Sequence, residues 1–418
     1  MAVRPKPRGT SSSLKSPSPL DQEPTRRRAY ALREVSRSIL MGLRAGMHFP
    51  GLITCGYPAG QGNWVELVLY DTGKASVARA TGVKTCGSVW ACPVCAPVEA
   101  DRRGEALSRV VARRWKQGWR VAHVVLTVRH TGGEPLEAVF GALTTAWRHL
   151  VSHRKVKGLL KGWDWHRSVE VTYGRHGWHP HVHLLLLSPP GVDPYLLEEP
   201  LWEAWRDAVQ AVGWAPSARG GYSYTVPSSE EDAVAVSAYN EKTWSLPQEV
   251  SLGPVKSGKG GLSPFELLAI ADGALEDDGV LDTPGVLRPP RPTRGLSVSP
   301  DEALVLWVEY VETTKGRKRS FVSRGLRAEW LQALAEVEDE GVSQVAQWRL
   351  AQVVQVRRRV FLMFLLRGQR LAYVLHWAEV LGDLGRAMEL AGLVEEEEWR
   401  WYYPSPGPPL EEEEEVAA

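Results

Sequence analysis

A chain of 418 residues with 44% hydrophobic and 24% charged side chains has the composition of a soluble globular protein with room for two or three cores. Its longest near-apolar window, Leu371 to Leu384, carries His376, Glu379 and Asp383, and Val360–Leu366 is bracketed by Arg357–Arg359 and Arg367. Neither is expected to cross ~30 Å of hydrocarbon, and the polar, Pro- and Ser-rich start lacks the apolar stretch of a signal peptide, so a cytoplasmic protein is the expectation. Net charge is only +1, yet between Asp101 and Arg175 fifteen Lys/Arg accompany six Asp/Glu. Such a basic middle suits a polyanion, with Arg102, Arg103, Arg154, Lys155, Lys157 and Lys161 as candidate contacts, although a solvated helix face gives the same count.

In chain order, residues 1–49 read as a basic arm, largely disordered where Pro5, Pro7, Pro17, Pro19 and Pro24 and a serine run dominate. Residues 50–104 are compact and hold all four cysteines, Cys55, Cys86, Cys92 and Cys95. A reducing compartment disfavours disulfides, and Cys92-Pro-Val-Cys95 has the spacing of a zinc knuckle that Cys86 and, more distantly, Cys55 can complete. The competing reading is four buried free thiols. Strands are expected over Val121–Val128, Val169–Tyr173, His181–Leu187 and Tyr222–Val226, and helices over Pro135–Val151 and Leu196–Val212. A further helix begins near Ser228, where Ser228 and Glu231 have capping-box spacing. This order predicts an α+β domain on an antiparallel sheet. Pro227, Gly253–Gly261 and Pro284–Pro292 punctuate the later chain, residues 301–400 read as mostly helical, and a Pro- and Glu-rich tail follows.

The densest chemistry lies between Glu170 and His183. His179, His181 and His183 alternate, so on a strand they share one face. Gly174-Arg-His-Gly177 reads as a turn, and pairing Tyr173 with Trp178 sets Glu170 opposite His181, ~5 Å away at Cβ. Imidazoles and a carboxylate at that distance suit a divalent cation with open positions for a phosphate oxygen. The third ligand is either Glu170 or His179; Glu170 is preferred because it closes a facial set from the neighbouring strand. Downstream, Tyr239 and Lys242 are i, i+3 on a helix. A phenol with a pKa near ~10 attacks only beside a cation, which Lys242 can supply, whereas most tyrosines on such helices are packing residues.

Taken together, these residues resemble the HUH endonucleases, and among them the single-tyrosine rolling-circle replication initiators of bacterial plasmids. Val124-Val-Leu-Thr-Val128 resembles the family's first, structural motif, His179-Pro-His-Val-His183 its metal motif, and Tyr239 with Lys242 its tyrosine motif. Leu262–Leu268, Trp307–Arg317 and Ser323–Arg327 resemble segments that follow the tyrosine in this branch, and a cysteine cluster precedes the first motif in many relatives. The resemblance implies a ferredoxin-like sheet with helices on one side, Mg²⁺ or Mn²⁺ on His181 and His183, and Tyr239 as nucleophile. It further implies nicking of plasmid origin DNA at a single-stranded or hairpin site, a 5′-phosphotyrosine, and a 3′-OH for a host polymerase working with a host helicase. The domains expected are the arm (1–49), a zinc-binding segment (50–104) presenting Arg102 and Arg103 to DNA, the nickase (105–250), an initiator-specific extension (251–330), a helical region (331–400) and an acidic tail (401–418). Where some relatives carry an acidic residue one turn before the tyrosine, this chain has Ala235, which leaves Glu231 or Glu241 as candidates for the terminating step.

Rival readings are a histidine-triad nucleotide hydrolase, which needs no metal, and a zinc-containing DNA-binding protein without catalysis. A relaxase or single-tyrosine transposase of the same superfamily is a third. Gly253-Pro-Val-Lys-Ser-Gly-Lys259 approaches a P-loop, but Gly260 stands where the magnesium-binding hydroxyl belongs.

Overall fold

The computed structural model describes residues 19–42, 49–216, 221–241, 261–274, 296–367 and 370–403. Two antiparallel sheets organise them. The central one contains β3 (Arg120–Thr127), β4 (Asp164–Gly174), β5 (Gly177–Ser188), β6 (Tyr222–Thr225) and β7 (Gly261–Leu262) in the order β6-β3-β5-β4-β7, with β8 (Ser320–Val322) also paired to β4. The other, in the order β10-β9-β1-β2, joins β1 (Trp64–Asp71) and β2 (Ser76–Ala80) to β9 (Arg349–Arg357) and β10 (Trp399–Tyr403). The chain is therefore α+β, as its element order predicts.

The β4–β5 hairpin has the expected register, with Tyr173 opposite Trp178 and Glu170 opposite His181. Its tip is Arg175–His176. Gly177 follows at φ 80°, where a Cβ would also lie 3.2 Å from the Gly132 backbone, so only glycine fits. Along β5, Val182, Leu184 and Leu186 enter one core with the helices Leu136–Ser152 and Glu198–Ala211. Leu185 and Leu187 enter a second core with Ala106, Leu107, Ala233 and Ala333, which come from the helices Cys95–Lys116, Glu230–Glu241 and Arg327–Gln347. Helices thus cover both faces, not the one face that the resemblance implies. The reason lies in Leu184–Leu187, four consecutive leucines on a strand, which expose apolar surface on both sides unless both are covered.

Three further differences have local causes. Residues Pro19–Gly42 of the arm form a helix, and Ala31, Leu32, Val35, Ile39 and Leu40 give it a buried stripe at helical spacing. The expected helical region contains β9 and β10, because Val353-Val-Gln-Val356 has the branched residues and burial of a strand in a sheet. β9 pairs with β1, far earlier in the chain, for example Val356 with Val65. The cap of the Glu230–Glu241 helix is shifted by one residue, as Ser229 Oγ accepts from the Asp232 N–H. Among the described residues no helix is long and apolar enough to cross a membrane. Residues 404–418, which hold most of the expected acidic tail, and the P-loop-like Gly253–Lys259 lie outside the described residues.

Candidate metal centre and tyrosine helix

Glu170, His181 and His183 converge, each offering a ligand atom within 4.8 Å of the others. Both His181 Nε2 and His183 Nε2 lie 2.7 Å from the same oxygen, Glu170 Oε2. The opposite ring nitrogens are anchored: His181 Nδ1 is 3.3 Å from the His179 carbonyl, and His183 Nδ1 is 3.2 Å from His123 Nε2. A carbonyl only accepts, so His181 carries a proton on Nδ1, and in its neutral form it turns a lone pair on Nε2 toward the carboxylate. Two acceptors 2.7 Å apart repel unless a cation or an extra proton lies between them. The donor set therefore fits a divalent ion, with a second layer of hydrogen bonds orienting the imidazoles.

With no ion between them, the electrostatics favour the extra proton on His181. Burial pushes the Glu170 carboxyl up, but His181 and His183 hold it well below the usual carboxylate range. His181 is raised because Glu170 outweighs its burial, whereas burial and the charges of His181 and Arg319 keep His183 low against Glu170. Burial, with His183 and His181 adjacent, drives His123 down to about 3, so it stays neutral and can accept from His183.

His179 does not join this group. Its Nδ1 is 2.7 Å from His130 Nε2, and His130 Nδ1 meets the His176 carbonyl at 2.9 Å, which ties the β5 entry to the residues after β3. Sequence reading did not single out His123, although a histidine inside the apolar run Val121–Val128 was a signal. His130 gave no such signal.

The tyrosine-bearing helix Glu230–Glu241 reaches the same sheet face. Asn240, 1% exposed, places Nδ2 2.7 Å from His166 Nδ1, and its carbonyl accepts from Ser168 Oγ. His166, Ser168 and Glu170 alternate on β4, and Ser168 pairs directly with His183. The residue after Tyr239 is thus pinned beside the cross-strand neighbour of His183, roughly 7 Å along the strand from Glu170. The Tyr239 side chain and all of Lys242 lie outside the described residues.

The segments after the tyrosine brace the hairpin. Glu309, on the Pro300–Thr314 helix, accepts from Trp178 Nε1 at 2.7 Å and from the Leu136 N–H at 2.6 Å. Ser323 Oγ donates to Asp164 Oδ1 at 2.6 Å at the start of β4.

Cys55, Cys86, Cys92 and Cys95 form a second group with Sγ atoms within 4.8 Å of one another and no disulfide. Cys95 begins the long helix ending at Lys116, and hydrogen bonds from Cys86, Cys92 and Cys95 hold the Cys55 thiol down toward thiolate. Arg37 of the N-terminal helix fastens this corner, donating to the Ile53 and Cys55 carbonyls at 2.6 and 2.5 Å.

The candidate DNA contacts are dispersed. Arg102 pairs with Glu99 and Glu338, and Arg103 donates to Ser320 Oγ, so both turn inward. Arg154, Lys157 and Lys161 are exposed, but the short helix carrying the first two packs through Val156 into the core across the sheet from the metal group. The Lys155 side chain lies outside the described residues.

Residues 78–213 match the family model described as "Replication protein", a span holding the histidine strand and three of the cysteines but not Tyr239. A "Protein rep" of Streptomyces lividans is 26% identical over 309 residues, covering 59% of this chain and 63% of the relative. A "Neomycin resistance protein" of Streptomyces cyanogenus is 28% identical over 29% of this chain and 34% of its own length. A "Protein rep" of Streptococcus pneumoniae is 28% identical over 28% of this chain and 39% of its own. The chain thus spans from about a third to just under two thirds of the curated relatives it matches. No solved structure matches. These matches make the chain similar, over part of its length, to replication proteins, and so support the recognition of a plasmid rolling-circle replication initiator.

Proposed function

We propose that this chain initiates plasmid rolling-circle replication as an HUH-type nickase of the double-strand origin, its central sheet being the ferredoxin-like catalytic sheet of that class. The observation that carries the reading is the convergence of Glu170, His181 and His183 on the sheet face where Asn240 anchors the tyrosine helix. Mg²⁺ or Mn²⁺ bound by these three residues would polarise a non-bridging phosphate oxygen and offset the charge that builds at phosphorus. Tyr239 Oη attacks that phosphorus as Lys242 favours the phenolate, forming the O–P bond while the P–O3′ bond breaks. The phenolic proton is lost to solvent, the departing 3′-oxygen is protonated, and a 5′-phosphotyrosine remains with a free 3′-OH. A host polymerase would extend that end behind a host helicase. The four-cysteine group takes Zn²⁺ in this reading and ties the loops before Cys95 to the helix that packs on the same sheet face as His181 and His183.

The test is incubation with a single-stranded oligonucleotide from the host replicon and Mn²⁺, followed by a denaturing gel. A covalent adduct that disappears with EDTA and with Tyr239→Phe is expected. EDTA-insensitive nucleotide hydrolysis without an adduct would instead favour the histidine-triad reading.

A further inference from the structure

Most of the arginines on the Cys95–Lys116 helix are neutralised inside the protein. Arg109 pairs with Glu340, Arg113 with Glu336, and Arg114 with Glu329 and Asp164. The second sheet differs. Beside it lies an open groove of about 900 Å³ lined by Tyr57, Trp64, Arg357, Arg358, Arg359 and Met363 among others. Among the described residues, Arg357, Arg358, Arg359 and the adjacent Arg400 make no ion pair.

Neutral groups orient them instead. Arg357 donates to the Glu397 backbone carbonyl and lies 5.2 Å from the Trp64 ring centre. Arg400 lies over the same ring at 4.3 Å and donates to Gln355 Oε1 at 2.9 Å. Arg358 donates to the Gly60 carbonyl. Carbonyls, an amide and an indole hold Arg357, Arg358 and Arg400 in place without cancelling their charge, and the exposed Arg359 adds a fourth cation beside them.

We infer that this groove binds the phosphodiester backbone of duplex DNA, a contact separate from the metal centre that holds the origin while one strand is cut. The inference rests on the replication-initiator reading. A duplex fits better than a single strand because the lining aromatics have no uncommitted role: Trp64 is covered by Arg357 and Arg400, and Tyr57 lies under Arg37 at 4.6 Å. Single-strand sites need open rings on which bases stack, whereas duplex backbones need fixed cations.

The experiment uses the full chain, wild type and Arg358→Ala/Arg359→Ala, with a labelled duplex carrying the replicon's nick region. Affinity is measured by anisotropy over a salt series, and adduct formation on the single-stranded oligonucleotide is measured in parallel. The double variant is expected to bind duplex more weakly, with a salt slope shallower by about 2, one unit for each lost phosphate contact. Adduct formation on the single strand is expected to stay at the wild-type level. Unchanged duplex affinity and slope would overturn the inference, and so would an equal loss on the single strand. Arg359→Glu, at an exposed side chain with no hydrogen bond or ion pair seen among the described residues, guards against misfolding and should weaken duplex binding on its own. Failure of the nickase reading appears separately, as a wild-type chain that forms no adduct; duplex binding in the same samples still supports or overturns the groove.

Discussion

At the scale of single residues, the metal group owes its shape to what stands behind it. His123 meets His183 Nδ1 across the β3–β5 pairing and touches none of the expected ligand atoms. Replacing it with Phe keeps the volume but removes the hydrogen bond that aims His183, so Mn²⁺ affinity measured by calorimetry should fall by about 10- to 100-fold. Glu170→Gln should abolish both metal binding and adduct formation, since the amide cannot neutralise a cation between two imidazoles. Asn240 is a positioning residue of another kind. Its side chain reaches His166 and its carbonyl reaches Ser168, both on the ligand face of β4. Asn240→Ala should cost about 1–3 kcal/mol in chemical denaturation, because His166 loses a buried partner. It should slow adduct formation while leaving Mn²⁺ affinity intact, and a parallel loss of metal binding would show that Asn240 only holds the sheet together.

Elements are joined by two devices of unequal strength. The helices Cys95–Lys116 and Arg327–Gln347 meet through Arg109–Glu340, Arg113–Glu336 and Arg114–Glu329, but these pairs are partly exposed and screened. Arg109→Ala should therefore change stability by less than about 1 kcal/mol, and duplex affinity hardly at all. The cysteine group gathers a loop, a knuckle and a helix start at one point, where Arg37 of the N-terminal helix also fastens. With zinc at a thousandfold excess over its Kd, such a site adds about 4 kcal/mol to the folded state. Chelation or Cys55→Ser should accordingly lower Tm strongly, and re-addition of Zn²⁺ should restore Tm after chelation but not in the variant.

For the molecule as a whole, chain order and spatial order diverge in the second sheet. Its core takes Val65, Leu67 and Leu69 from β1 and Val354, Val356 and Trp399 from β9 and β10, together with Leu375 and Met388 from the helices between those strands. Ending the chain after Gln347 would strip β1 of its β9 partner and expose that core. The shortened protein should aggregate or bind a hydrophobic dye, where the full chain elutes as a folded species on size exclusion. Recovery of a well-folded, nicking-competent fragment would show that this sheet is an independent appendage.

Local pattern alone determined the hairpin, its register and the alternation that puts His181 and His183 on one face opposite Glu170, because a period of two and a glycine-bounded turn leave little other choice. It also marked the cysteine knuckle and the helix bearing Tyr239. Only the tertiary structure set Glu170 rather than His179 beside His181 and His183, since His179 meets His130 arriving from the residues after β3. The same holds for the paired state of Arg102 and Arg103, the helices on both sheet faces, and the strand pairing of Val353–Val356 with residues near the other end of the chain. Contacts between residues hundreds of positions apart depend on how cores close and charges find partners, and no short window of sequence encodes that.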